Sequence, residues 1–511
     1  MSDWDAIVIG AGHNGLTSAA LLAQAGLRTV CLESKRYAGG MASTVELFDG
    51  YQFEIAGSLQ FPTSLTVSKE LGLDTLPTID VDVMSVSLRG VGDAPVVYYT
   101  DPMRLMNHLN DVHGSEAVMG MAQLMAWSLA PTRALGRFDA GAPPKTFDQM
   151  YACASTDAER AAITDLLFAS VSDILDRYLP DREKHGALRG MLAFLAVNTT
   201  YRGPQTPGSA AALAYGLAVP DADATLMKKL RGGIGTLTTH LQQLFESAGG
   251  QLRLRSQVVE ILTGDGRVSG VRLDDGTTLT APIVISSLAP DLTVALAALP
   301  DRDRYTRIDH RGSYLQMHFA LDGIPEFAAP YELLNDPAMQ SAIGLFSTPE
   351  ELQQQWEASR HGVVPADPAV ALQIPSVHDP ALAPDGKHAA SAFALWFPLS
   401  GDYGAAKAEM GQKVIDKITR LAPNFESLIS RHTTFTPKHM GTMFGAPGGD
   451  YCHGLLHSDQ IGINRPGPRG YLDQGLPVQG LYLGGAGCHG GPGITFIPGY
   501  NAAQQALAEF P

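Results

Sequence analysis

Two glycine-rich stretches, one near each end of the 511-residue chain, hold the residue types that could do chemistry. The first, Gly10-Ala11-Gly12-His13-Asn14-Gly15, follows the apolar run Asp5-Ala6-Ile7-Val8-Ile9 and precedes the Ala/Leu-rich segment Leu16 to Ala25. Strand, glycines, then helix is the order of a dinucleotide site. Gly10 permits the tight turn, Gly12 lets a pyrophosphate approach the backbone, and Gly15 lets helix and strand pack closely. The helix N-terminus adds free N–H groups and a partial positive charge for the phosphates. Glu33 sits at the tip of a second strand, Leu27 to Leu32, about 20 residues past the glycines, where a carboxylate can accept hydrogen bonds from a ribose diol. The same carboxylate would repel the 2′-phosphate of NADP. The second stretch starts at the strand Leu481-Tyr482-Leu483 and runs through Gly484-Gly485-Ala486-Gly487-Cys488-His489 to Thr495-Phe496-Ile497-Pro498. A last helix follows from near Tyr500, with Pro498 suited to a first turn. His489 is either a proton donor or a residue that orients this loop.

These stretches need a framework, and the chain is long enough for two or three domains with a large core. Hydrophobic residues make up 45% and charged ones 17%, a globular but apolar-leaning balance. The net charge of −16 argues against a nucleic-acid partner and against charge-driven binding to anionic membrane. The four cysteines form no CxxC pair, so neither a redox-active disulfide nor a disulfide framework is expected. Cys452, His453 and His457 lie close together, but no second ligand cluster accompanies them, so no metal is expected. The first residues lack the basic and apolar regions of a signal peptide, and no apolar run approaches the length of a membrane span. The expected location is the cytoplasm, with membrane contact at most peripheral.

Between the two glycine stretches the pattern alternates. Val45 to Glu54 reads as a hairpin turning at Asp49-Gly50, Ser64 to Leu71 as a short helix, and Met84, Val86 and Leu88 as a strand. Pro102 to about Thr200 is mainly helical. Ile163, Leu166, Leu167, Val171, Ile174 and Leu175 recur at helical spacing, with Asp165, Asp173 and Asp176 on a solvated face. Gly232, Gly233 and Gly235 mimic a nucleotide loop, but no suitable strand precedes them. Val258 to Ser287 reads as a β-meander, turning at Asp275-Gly276, and a return strand.

Several segments in fixed order resemble one family. Ser34-Lys35-Arg36-Tyr37-Ala38-Gly39-Gly40-Met41-Ala42 is similar to the basic-then-glycine-pair segment that two-dinucleotide-fold flavoproteins carry beside the FAD diphosphate. A glycine pair allows close backbone approach, and Arg36 is either a phosphate contact or a solvated loop charge. With the Gly10 to Leu16 motif, Thr206-Pro207-Gly208, Gly232 to Gly235, Cys452-His453-Gly454, Asp459-Gln460, Arg465-Pro466 and Leu481 to Ala503, the chain resembles the phytoene dehydrogenase-related flavoproteins of the carotenoid desaturase superfamily over nearly its whole length. It departs from them at Gly490, Pro492 and Phe496, the last placing a ring where glycine is usual.

The resemblance implies an α/β fold. A discontinuous Rossmann-like FAD domain would comprise residues 1–75, 230–300 and 470–511, and a mixed sheet plus helices, 76–229 and 301–469, would form the substrate domain. It implies FAD held by Gly10, Gly12, Gly15, Glu33, Ser34, Arg36, Gly39, Gly40, Met41 and Ala42. Val258 and Val259 would lie over the adenine. Gly485, Ala486, Thr495, Phe496 and Ile497 would lie at the flavin, where a helix N-terminus stabilises charge developing during reduction. His453 and Phe496 are expected at the substrate pocket. The implied reaction is hydride transfer between flavin and an activated C–H or C=C bond of an apolar carotenoid, isoprenoid, steroid or lipid, with oxygen or a quinone as electron acceptor. A reduced-flavin isomerase or saturase, an amine oxidase and a non-catalytic flavin-binding scaffold are the alternatives. Amine oxidases usually carry Gly-Glu where this chain has Gly484-Gly485.

Overall fold

The computed structural model describes residues 2–56, 63–89, 94–217, 222–223, 229–300, 303–471 and 476–510. Two sheets organise these residues. The first has five parallel strands in the order Gln251–Arg253, Thr29–Leu32, Ala6–Ile9, Ile283–Ser286, Leu481–Leu483. The central strand Ala6–Ile9 and its neighbours Thr29–Leu32 and Ile283–Ser286 are buried along their whole length. Strands buried on both faces read as continuous apolar runs, as these do.

One face of this sheet carries three helices, His13–Gln24, Gly235–Ser247 and Ile497–Glu509, which share a core of Ala19, Leu22, Leu241, Phe245, Ala502 and Ala503. The other face packs against the antiparallel meander Val258–Gly264, Arg267–Leu273 and Thr278–Thr280, through Ile7, Val30, Val271 and Val284. The sheet is thus the middle of three layers, and both ends of the described chain belong to it. The first and last helices touch at backbone distance. Gly499 donates to Asn14 Oδ1 at 3.3 Å, and Ser18 Oγ donates to the Gly499 carbonyl at 2.8 Å. A Cβ at Gly499 would run into the Asn14 carbonyl oxygen.

The second sheet has seven strands, in the order Ile429–Phe435, Tyr314–Leu321, His388–Leu395, Val370–Gln373, Ala342–Leu345, Val83–Leu88, Val96–Tyr99. All its pairings are antiparallel except Ala342–Leu345 with Val83–Leu88. One face covers helices drawn from residues 102–216, with Leu188, Leu192, Ala211, Tyr314 and Leu395 in a common core. The other packs on helix Tyr403–Thr419 through Met317, Phe319, Met410 and Val414.

The hairpin Thr44–Phe48 with Tyr51–Glu54 and the helix Leu65–Glu70 follow the sequence pattern. The periodic stretch from Ile163 to Leu175 instead forms two helices, Asp157–Phe168 and Val171–Tyr178. Ser170 and Asp173 make a reciprocal capping box that starts the second helix and ends the shared axis. Two of its acids are paired rather than merely solvated. Asp165 holds Arg177 and the Trp127 indole, and Asp176 holds Arg182 and the fully buried Arg189. The last helix begins at Ile497, earlier than the pattern suggested.

Replacing Gly499 with alanine should force the first and last helices apart, an overpacking cost of about 1–3 kcal/mol. The expected result is a clear fall in the thermal midpoint, against little change for Gln504→Ala on the same helix, both measured by scanning calorimetry.

Candidate cofactor and substrate site

A single cavity of about 590 Å³ runs from the glycine turn at Gly10 to the seven-stranded sheet. Its nucleotide end is built by the first strand and first helix. Gly10 has φ +89°, and a Cβ there would sit 2.6 Å from Ser287 Oγ, so the turn demands glycine. A Cβ at Gly15 would collide with the Gly10 carbonyl, so Gly15 serves packing and lies behind the cavity wall. Gly12 differs from both. It lines the cavity, and a Cβ there would meet nothing within 4 Å. Open space over a glycine, at a helix start with no side-chain cap and no acid in its first turn, is the cradle a diphosphate needs. The residues fit an FAD diphosphate at this position.

Glu33 also lines the cavity, although only 8% exposed. Its Oε2 accepts from the Ala11 N–H at 2.8 Å and its Oε1 from the Lys35 N–H at 2.8 Å. Two backbone donors thereby aim the carboxylate and leave it lone pairs for a ribose hydroxyl. Ser34, Gly40, Met41, Ala42 and Val258 line the cavity as expected for contact residues. Gly39 lies beneath, its N–H donating to the Ala11 carbonyl at 2.7 Å. Arg36 is exposed and away from the cavity, which favours the solvated-charge reading. Val259 is also placed differently from expectation: strand alternation turns it outward, 43% exposed, while Val258 faces in.

The C-terminal stretch closes the cavity through other residues than those anticipated. Ala486, Pro492, Gly493 and Ile494 line it. Gly485 is packed on the Ser287 and Leu288 carbonyls. Thr495 is fully buried and ties the loop together, donating from Oγ1 to the Gly490 carbonyl at 2.7 Å and accepting from Thr63 Oγ1. Phe496 takes a left-handed conformation, φ +64°, which drives its ring into the helical core, edge-on to His13 with centroids 5.6 Å apart. Phe496 and Ile497 are therefore core residues and line neither the cofactor nor the substrate region. His489 does not line the cavity either. It is buried on the far side of the loop towards Gly136 and Lys145, and burial holds its pKa down to about 4.

Of the two histidines in the C-terminal loops expected at the site, His453 lines the cavity. Its Nδ1 has no protein hydrogen-bond partner, and burial holds its pKa below the ordinary value against the partly offsetting charge of Asp450. His13, also lining the cavity, is neutral for the same reason, its pKa held down to about 4. Asp450 accepts from the Cys452 and Gly454 N–H groups at 2.8 and 2.7 Å. His310 stands between Asp450 at 3.4 Å and Asp291 at 3.5 Å; burial opposes its charge, but the two carboxylates outweigh burial and raise its pKa to about 9. Arg465 joins this loop to the C-terminal one. It is buried, and its guanidinium donates to the carbonyls of Cys488 at 3.1 Å, Ala486 at 2.9 Å and Gly454 at 3.2 Å. The sequence signal for it is the Arg465-Pro466 pair that opens a proline- and glycine-rich loop.

Cys452, a buried thiol, and His453 both line the cavity, whereas His457, whose pKa burial lowers, lies apart against Asp309 and Asp459. Each of the four cysteines is free. The second glycine loop, Gly232 to Gly235, is filled by protein. Its N–H groups donate to Asp379 Oδ2 at 2.6 Å, Glu54 Oε1 at 2.8 Å and Thr44 Oγ1 at 2.9 Å. Beyond the nucleotide end, the cavity wall is aromatic, with Phe194, Tyr215, Phe393, Phe444 and Tyr451.

Residues 8–69 match the family described as NAD(P)-binding Rossmann-like domain. Over 98% of its length the chain is 28% identical to pyridine nucleotide-disulfide oxidoreductase domain-containing protein 2 of Rattus norvegicus, covering 93% of that protein. It is 26% identical to the neurosporene-forming phytoene desaturase of Rhodobacter capsulatus, over 52% of this chain and 51% of that one. Among solved structures, cyclohexylamine oxidase from Brevibacterium oxydans shares the fold, with a TM-score of 0.59 at 16% identity, over 99% of this chain and 98% of that one. With an open diphosphate cradle, an aimed ribose carboxylate and these similarities, the chain is an FAD-dependent oxidoreductase whose sequence is similar to those of a phytoene desaturase and of pyridine nucleotide-disulfide oxidoreductase domain-containing protein 2.

Proposed function

We propose that this enzyme desaturates an apolar substrate, removing hydrogen from adjacent carbons beside an activated position, in the manner of a carotenoid, isoprenoid, steroid or lipid dehydrogenase. The observation that carries this reading is the continuity of the cavity, which joins the diphosphate cradle directly to an aromatic-walled chamber. The phytoene desaturase similarity points the same way. FAD, when bound, supplies the acceptor for a hydride equivalent.

The chain binds, orients and excludes water. Gly12 and the N-terminus of the first helix hold the diphosphate, Glu33 holds the ribose, and Val258 flanks the adenine side. Ala486, Gly493 and Ile494 border the opposite end. Tyr215 braces that border, its hydroxyl donating to the Pro492 carbonyl at 2.7 Å. Forming a C=C bond releases a proton as well as a hydride, and the proton needs an acceptor. Neutral His453, which lines the cavity, takes it, and Asp450 nearby stabilises the resulting charge. Electrons then leave to oxygen or a quinone. The filled Gly232 to Gly235 loop argues against a second nucleotide as the acceptor. The division into a nucleotide domain of 1–75, 230–300 and 470–511 and a substrate domain of 76–229 and 301–469 accords with this division of labour.

The direct test is anaerobic reduction of the FAD-loaded enzyme by candidate isoprenoids, steroids and lipids. Bleaching of the flavin band together with a product lighter by two hydrogens is expected; failure of every apolar compound, with reduction by primary amines instead, would overturn the reading in favour of an amine oxidase.

Two variants probe the parts. Gly12→Val should leave the thermal midpoint of the apoprotein unchanged, because its side chain enters open space, yet cut FAD affinity by at least tenfold, read by flavin fluorescence. His453→Gln should slow flavin reduction by about 100-fold. In the parent enzyme the reduction rate should fall as pH drops below the ordinary imidazole range, since protonated His453 cannot accept a proton. Stopped-flow pH profiles should show that acid limb in the parent and not in the variant.

A further inference from the structure

The chamber is not uniformly apolar. The sheet register sets Gln316 directly beside Phe393 and Phe393 beside Ala371, with Gln373 on the same face one pleat further along. All four line the cavity. Asn198 lines it from helix Gly186–Thr200. Three amides, from two strands and a helix, therefore share the cavity wall with one aromatic ring.

They are also short of partners. Gln316 is 3% exposed and Asn198 is 6% exposed. Asn198 Oδ1 has no hydrogen-bond partner. Among the described residues, neither the Gln316 nor the Gln373 side chain makes a hydrogen bond within the protein. Enclosed amides in native structures are almost always paired, and leaving one unpaired is costly. Two unpaired glutamine amides open to the cavity, with Asn198 beside them, indicate a ligand group that pairs them.

The charge pattern narrows that group. The carboxylate and ammonium among the lining residues are Glu33 and Lys35, both at the nucleotide end. A carboxylate or ammonium on the substrate would enter the amide region with no counter-charge, a large desolvation penalty. A neutral hydroxyl suits the site. It accepts from an amide N–H and donates to an amide oxygen, whichever way each amide is turned.

We propose that Gln316, Gln373 and Asn198 form a subsite for a neutral hydroxyl on an otherwise apolar substrate, so that the enzyme takes an alcohol in preference to the bare hydrocarbon. This rests on the apolar-substrate reading above. It narrows that reading from hydrocarbons and lipids at large to hydroxylated isoprenoids, sterols or fatty alcohols.

The test is equilibrium titration of the FAD-loaded enzyme with geranylgeraniol, the hydrocarbon lacking its hydroxyl, and geranylgeranoic acid, read by perturbation of the flavin spectrum. The alcohol should bind at least about tenfold more tightly than either analogue. Gln316→Leu and Gln373→Leu should each reduce that preference to about twofold, while FAD content and thermal midpoint stay unchanged. Gln316→Met, which keeps the side-chain length, should do the same and serves if leucine disturbs the sheet. Equal binding of alcohol and hydrocarbon would overturn the subsite and leave the apolar reading standing. Binding of none of the three would overturn both. Retention of the preference in the variants, tighter binding of the acid, or loss of FAD from the glutamine variants would each overturn the assignment, the last by giving the amides to the cofactor.

Discussion

Everything at the nucleotide end depends on the backbone contact between the first and last helices. Gly499 lies against Asn14, and Ser18 reaches across to the Gly499 carbonyl. That contact fixes the last helix, hence the Pro492 to Ile494 segment leading into it, against the glycine turn. The first helix meanwhile keeps its N-terminus free of side-chain caps. An uncapped helix start carries orphan donors that something must satisfy, and the open volume over Gly12 gives a diphosphate room to do so. Gly15 and Gly499 are packed against backbone, whereas Gly12 leaves open room at the first helix's start.

The substrate side relies on a second scaffold of buried charge. Arg465 holds three carbonyls from two loops, and Asp450 collects two N–H groups and the His310 imidazolium. Neither residue reaches substrate. Their effect is to present the His453 ring to the cavity from a loop whose neighbours Leu455 and Leu456 anchor it in the core. A buried charge that satisfies several backbone groups at once specifies a loop conformation that apolar packing alone would leave loose.

The first glycine motif was legible because its chemistry is local: turn, approach and packing are decided within a few residues, and Glu33 is placed by one strand. The far end was harder. The segment from Gly484 to Ile497 was recognisable as a cofactor loop, but the left-handed turn at Phe496 carries Phe496 and Ile497 into the core and leaves Pro492 to Ile494 at the surface of the cavity. Val258 and Val259 could not be told apart without knowing which face of the meander meets the sheet. His489 and His453 look alike in sequence, each in a glycine-rich loop, and only the path of Arg465 between those loops decides which ring faces in. The amides of Gln316 and Gln373 left no sequence signal at all, since their relation to Phe393 exists only across three paired strands.

The five-stranded sheet takes strands from residues 6–32 and from 481–483. During synthesis the leading βαβ unit emerges hundreds of residues before the segment that completes its cradle, so the nascent chain must hold an unfinished sheet edge while the whole middle is made. Contacts this distant in sequence form late, and exposed strand edges invite wrong pairing. The cofactor cradle is therefore complete only once Leu481–Leu483 has joined the sheet, and until then its unfinished edge stays open to chaperones or to aggregation.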